Sequence, residues 1–312
     1  MTTNDGDDGL LIEPDLPILD PPQRVPGMRV PGMRVPDAWT LPGKPDALSD
    51  DAEDAWRQSG FVLADDLRLI AANLELQTRM AAAGRTPAAR TMTMAAIASL
   101  WSRALNSTSD ATGLVRRGAY QSAVPLVRQA VELVAGQQGL GTDLDEFKRW
   151  AHGAYGRHAE AKAEDVGLGP YFSGESIAAD GQLRLIYRAA SDLSRPNFGP
   201  TALFVAEGAT HERYPLIFGD QAFHFSWGQL LLGWLLRIGV SQLHLAMHAR
   251  DHFPAAADLR DEVVAHVRAA EQALAATDRC HIKPYEDTDG RTRHLLVQFR
   301  RQPGDAAKRI LI

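Results

Sequence analysis

Through most of the chain, apolar residues recur every three or four positions, the spacing of amphipathic helices. The first such stretch opens near Ser49, where Asp50, Asp51, Glu53 and Asp54 suit the positive end of a helix dipole. It continues through Phe61, Leu67, Ile70, Leu74 and Met80, so a helix is predicted to run until Gly84. A second begins near Pro87, a residue tolerated in a first turn, and carries Ile97, Trp101, Leu105, Thr108, Thr112 and Val115 as far as Gly118. Val124, Val127, Val131 and Val134 line the next, over 120–138, with Pro125 early enough to be accommodated. Asp143 and Glu146 resemble a capping box ahead of a helix over 143–162, and another spans 176–193 before Pro196 stops it.

Pro and Gly then interrupt the periodicity over 195–219, where the apolar run 202–206 reads as a lone strand or a packed loop. Two further helices are predicted over 221–252 and 255–276. Near the C-terminus the period changes from helical to alternating. Ile282 to Tyr285, then Leu295, Val297 and Phe299, flank Asp289-Gly290, a hairpin signal. The prediction is an all-α multi-helix bundle with a small C-terminal β-hairpin.

The first 48 residues belong to neither pattern. They hold half of the 18 prolines and a near-repeat, Arg24-Val-Pro-Gly-Met28 followed by Arg29-Val-Pro-Gly-Met33. Such a composition removes backbone donors and cannot build a core, so a disordered tail is expected. The domain reading is a tail over 1–48, a helical bundle over 49–279, and a hairpin and tail over 280–312.

Composition narrows the class. With 45% hydrophobic and 23% charged residues the chain has the balance of a packed globular protein, and its net charge of −6 argues against wholesale binding of nucleic acid. A lone cysteine, Cys280, excludes an intramolecular disulfide and a multi-cysteine zinc site within one chain, and fits a reducing cytoplasm. The acidic start Met1 to Asp8 lacks the basic-then-apolar pattern of a signal peptide. The most apolar stretch, 221–247, is broken by Arg237, and its charge-free run is too short to span hydrocarbon. It is therefore expected to be the centre of the bundle and not a membrane span. Dinucleotide, P-loop and hydrolase-elbow motifs do not occur.

Two segments carry candidate chemistry. In Arg117-Gly-Ala-Tyr-Gln-Ser-Ala-Val-Pro-Leu-Val-Arg128-Gln-Ala-Val-Glu132, an arginine and a glutamate lie four apart on one helix. In Tyr187-Arg188-Ala-Ala-Ser191-Asp192-Leu-Ser-Arg195-Pro196-Asn197, a helix ends in a serine-containing turn. Together, over about residues 92–252, they resemble the HEPN superfamily. That resemblance implies a helical bundle, often dimeric, whose best-known members are ribonucleases using an arginine and a histidine a few residues apart. Arg188 stands at the arginine position, but Arg195 occupies the histidine position. A histidine can exchange a proton near neutral pH, whereas an arginine stays charged and only stabilises negative charge. The resemblance therefore implies a non-catalytic relative that binds RNA or another anion, as a dimer or other homo-oligomer.

Read from the residues alone, Arg128 with Glu132 and Arg188 with Asp192 are ordinary i,i+4 pairs. The alternative is an anion site in which Arg128, Arg188, Arg195 and Asn197 converge, supported by Glu132, Ser191 and Asp192. Six arginines against the single Asp110 between residues 85 and 128 make that region locally basic. A rival constellation places His244, His248 and His252 along one helix stripe, with Glu262 and His266 on the next helix as further ligands for a divalent transition metal. That would make a metal-dependent enzyme. The third reading is a structural partner-binding protein with no cofactor.

Overall fold

The computed structural model describes residues 35–83, 92–142, 179–248, 257–286, 290 and 292–312. Among them are eight helices and one small sheet. The helices are α1 (Asp50–Val62), α2 (Ala64–Ala83), α3 (Met92–Arg116), α4 (Tyr120–Thr142), α5 (Gly181–Ser194), α6 (Phe198–Val205), α7 (Phe225–His248) and α8 (Ala257–Leu274). The strands are β1 (His281–Glu286), β2 (Thr292–Phe299) and β3 (Lys308–Leu311). The all-α expectation holds. The Arg-Val-Pro-Gly-Met repeat, the capping box at Asp143 and the helix over 143–162 lie outside the described residues.

The predicted first helix is in fact two. Ser49 caps α1 by accepting the Ala52 N–H, and α1 ends at Leu63, which leaves helical geometry with φ −110 and is itself buried. Leu63 packs against Gly228 of α7, where a Cβ would come within 2.5 Å of its side chain. The break thus seats an apolar side chain in a notch that periodicity alone does not reveal. A tight turn then joins α3 to α4. Gly118 adopts φ +73 there, and a Cβ would fall 1.9 Å from the Gln221 carbonyl oxygen, so this turn also fixes the approach to α7.

Helix α7 forms the centre of the bundle. Leu230, Leu231, Leu232, Leu235, Leu236 and Ile238 are all almost fully buried, and α2, α3, α4, α5 and α8 pack around it. Over Phe225–Met247 it is long and apolar enough to cross a membrane, but 72% of its most apolar window is buried inside the protein. Two of its polar residues are paired within the core. The Gln229 side chain accepts the Cys280 N–H at 2.8 Å, and Arg237 forms a two-pronged ion pair with Glu271 of α8. Arg279 enters from the far end, pairing with buried Asp66 at 2.7 Å and donating to the Gln229 carbonyl at 2.8 Å.

Two expectations change. The run 202–206 is neither strand nor loop but the second half and C-cap of α6, which starts after Asn197 and carries Pro200 in its first turn, where proline is tolerated. Residues 35–48 are irregular, as their prolines require, yet they pack. The Trp39 N–H donates to Glu75 at 2.8 Å, Arg116 donates to the Pro42 carbonyl at 3.0 Å, and Trp39 and Leu41 lie against the core. The folded part therefore begins before Ser49.

The hairpin forms with Glu286 opposite Thr292 and His281 opposite Val297, and a third strand, β3, adds to β2 in the order β1-β2-β3. Leu296 and Phe299 turn inward, and Phe299 meets Trp227 edge-on at 5.2 Å. The sheet is thereby anchored on the start of α7, and its other end reaches α5.

Candidate functional site

Helix α5 begins at Asp180, whose Oδ1 accepts the Gln182 N–H at 2.7 Å and the Leu183 N–H at 3.3 Å. Leu183, Ile186, Ala189, Ala190 and Leu193 are buried in the core. Helical spacing then puts Tyr187, Arg188, Ser191, Asp192, Ser194 and Arg195 on the opposite face. That face, with Arg128 of α4 and His294 of β2, lines a cavity of about 440 Å³.

The cavity brings together most of the predicted anion site. Arg128, Arg188, Arg195, Ser191 and Asp192 all line it. Arg128 pairs with Glu132 at 3.0 Å, as the i,i+4 reading expects, and also donates to the Tyr187 hydroxyl at 3.2 Å, with its guanidinium 5.2 Å from that ring. The Tyr187 contact, with Glu132 nearby, raises the Arg128 pKa further. Arg195 lies 3.8 Å from Asp192 and is 67% exposed, a cation presented at the rim. Asn197 departs from the prediction: it precedes α6 as its N-terminal cap residue, is exposed and does not line the cavity. Of the arginine-rich region between residues 85 and 128, Arg128 alone among the described side chains lines the cavity. Arg116 is spent on packing, stacked 3.7 Å over Trp56.

His294 is the residue that sequence reasoning missed. It sits on β2, held by the mutual backbone hydrogen bonds of His294 and Ile312 at 3.2 and 2.8 Å. Its side chain is 3% exposed, and Nδ1 lies 3.2 Å from Asp192 Oδ2. Burial pushes its pKa below the ordinary value, Arg188 adds to that, and Asp192 opposes both. The expectation that this site lacks a group able to exchange protons near neutral pH rested on Arg195 standing where a histidine would. An imidazole enters the same cavity from a strand about a hundred residues later. No periodicity links β2 to α5, and the apolar set Leu295, Val297 and Phe299 pointed to the wrong face, since the strand buries His294 with Leu296.

Three buried polar atoms around this cavity, Arg128 Nε, Ser191 Oγ and His294 Nε2, have no hydrogen-bond partner among the described residues. Buried polar groups are nearly always paired, and leaving one unpaired costs about 1–3 kcal/mol. Their gathering around one arginine-lined cavity makes it the candidate site of this chain.

Among the described residues the rival constellation does not come together. Glu262 forms a two-pronged pair with Arg79 at 2.6 and 3.0 Å, and buried His266 contacts Asn73 at 3.1 Å. His244 is exposed on α7; the His248 side chain and the whole of His252 lie outside the described set. Among the described residues no three His, Cys, Asp or Glu side chains group as a metal would require. Cys280 is buried, and burial pushes its thiol up to about 12, which leaves it protonated and unreactive at neutral pH.

Two other cavities are less informative. One of about 480 Å³ between residues 35–39, α2 and α3 is lined by Trp39, Trp101 and Leu105 and has no ionisable side chain. The other, about 30 Å³, sits over a structural cluster. There His224 Nδ1 accepts the Trp227 N–H at the start of α7, its own N–H donates to the Tyr120 hydroxyl at 3.0 Å, and Glu207 binds Arg301 at 2.8 Å. His224, then Arg301, hold the Glu207 carboxyl down at about 2.

Comparison of the chain with protein-family models, with curated proteins and with solved structures finds no match. The chemistry of the cavity therefore carries the functional reading.

Proposed function

We propose that this chain is an anion-binding protein whose arginine-lined cavity captures the phosphate group of a ligand, RNA being one candidate, and that it acts by binding or regulation in a reducing cytoplasm. The observation that supports this most is the convergence of Arg128, Arg188 and Arg195 from two helices on one cavity, together with three unpartnered buried polar atoms. Guanidinium groups match the geometry of phosphate oxygens and stay charged at any physiological pH. A ligand there would gain charge-assisted hydrogen bonds and would satisfy donors that the folded chain leaves open. The resemblance of the 117–132 and 187–197 segments to the HEPN superfamily adds RNA to the ligands worth testing, and a dimer to the assemblies.

The test is retention of a short labelled RNA and of inorganic pyrophosphate, measured against salt concentration. Binding should weaken steeply with salt and be reduced by Arg195→Ala, which removes a mostly exposed side chain and leaves the fold intact. Retention indifferent to both would remove this reading.

A further inference from the structure

The orientation of His294 bears on which anions the cavity accepts, an inference that rests on the anion-binding reading above. A carboxylate oxygen only accepts, so the 3.2 Å contact with Asp192 Oδ2 places a ring proton on Nδ1. In the neutral ring, Nε2 is then a bare lone pair, and it is buried without a partner among the described residues. The groups facing the ring are Asp192 and Arg188 from α5, with Arg195 at the end of that helix and Arg128 and Tyr187 completing the wall. The residues paired with His294 on the flanking strands, Pro284 and Ile312, bring no titratable side chain. Burial and the Arg188 charge favour the neutral ring, and Asp192 only partly offsets them.

The lining is thus asymmetric. Arg128, Arg188 and Arg195 are donors without exception, whereas His294 Nε2 requires one. An anion made only of lone pairs satisfies the arginines but sets oxygen against nitrogen at Nε2. An anion that carries an O–H satisfies both.

We propose that the cavity selects phosphate-type oxyanions that bring their own hydroxyl hydrogen to His294 Nε2, either hydrogen phosphate or a phosphate ester with a neighbouring hydroxyl, over anions such as sulfate that have none. The selectivity comes from a lone pair held in place by Asp192.

The test is calorimetric titration of the full chain with inorganic phosphate and with sulfate. At about pH 8, where the ring is neutral, phosphate should bind about ten-fold or more tightly than sulfate, the difference expected for one buried hydrogen bond made or refused. At about pH 5.5 the gap should narrow, because a protonated ring donates to either ion. At the higher pH methyl phosphate, fully ionised and without a hydroxyl, should behave like sulfate, and glycerol phosphate like phosphate. Tighter binding of glycerol phosphate than of phosphate assigns the site to an ester, and the reverse to the free ion. Equal affinity for phosphate and sulfate at about pH 8 overturns the selectivity while sparing the anion site. Absence of binding by all four probes at both pH values overturns the anion reading itself.

Discussion

His294 on β2 donates its Nδ1–H to Asp192 on α5 across 3.2 Å, tying the C-terminal sheet to the helix that carries the arginines. The contact joins residues 102 positions apart, both of which line the cavity. Removing the acceptor should loosen the sheet as well as the site. Asp192→Ala is expected to cost about 1–3 kcal/mol, because it leaves the Nδ1–H of a buried ring unpaired. Urea denaturation would check this, and a stability equal to wild type would show that the contact is incidental.

Acid should weaken the fold in two stages. His294 and His266 have pKa values lowered by burial, so the unfolded chain binds protons that the folded one refuses. Their contribution is present above the ordinary value of 6.5 and is lost as pH falls below it. Glu207 follows the carboxylate pattern: its folded value of about 2 against an ordinary 4.5 contributes stability that disappears as pH falls through that interval. Urea midpoints measured across this range should decline in both windows. A midpoint that rises between neutral pH and about 5 would contradict the buried neutral histidines.

The buried pair of Asp66 and Arg279, with side chains 10% and 7% exposed, binds α2 to the segment that leads into β1. Asp66→Ala strands the arginine charge among Gly233, Gln229 and the helix backbone, and should cost about 3–5 kcal/mol. Asp66→Leu combined with Arg279→Met should recover much of that loss, since an apolar pair needs no desolvation. Equal losses in the single and double variants, read by thermal melting, would disprove the pairing.

How much of this was legible in the sequence follows from which forces are local. Helix positions follow from apolar spacing, which is why α3, α4, α7 and α8 fall close to expectation, and the hairpin follows from Asp289-Gly290 between alternating strands. The break at Leu63 was hidden because apolar residues run across it, from Phe61, which is in fact exposed, to the buried Leu67 and Ile70, and only the notch at Gly228 gives it a reason. Helix α6 was hidden because Ala202 to Val205 is apolar on every side and has no period. The arginines of α4 and α5 were recognisable as charged helix faces, but their convergence is tertiary. His294 was unreachable, since a strand residue contacts α5 only through the packing of the whole sheet.

Residues 35–48 give a prediction of their own. A chain beginning at Val35 keeps the Trp39–Glu75 and Arg116–Pro42 contacts, and one beginning at Ser49 loses both and uncovers apolar surface around Trp39 and Leu41. The shorter chain should melt several degrees below the longer. Equal melting temperatures would show that the segment contributes nothing to the fold.

The central claim is that Arg188 and Arg195 form part of an anion site, and the dissociation constant for inorganic phosphate addresses it most directly. Wild type and the Arg188→Ala/Arg195→Ala double variant should be titrated side by side at low salt, with a thermal melt of each to confirm the fold. Loss of two charge-assisted contacts, each about 1.5–3 kcal/mol, should weaken binding by about a hundred-fold or abolish it. Phosphate binding that is unchanged in a folded double variant would contradict the account.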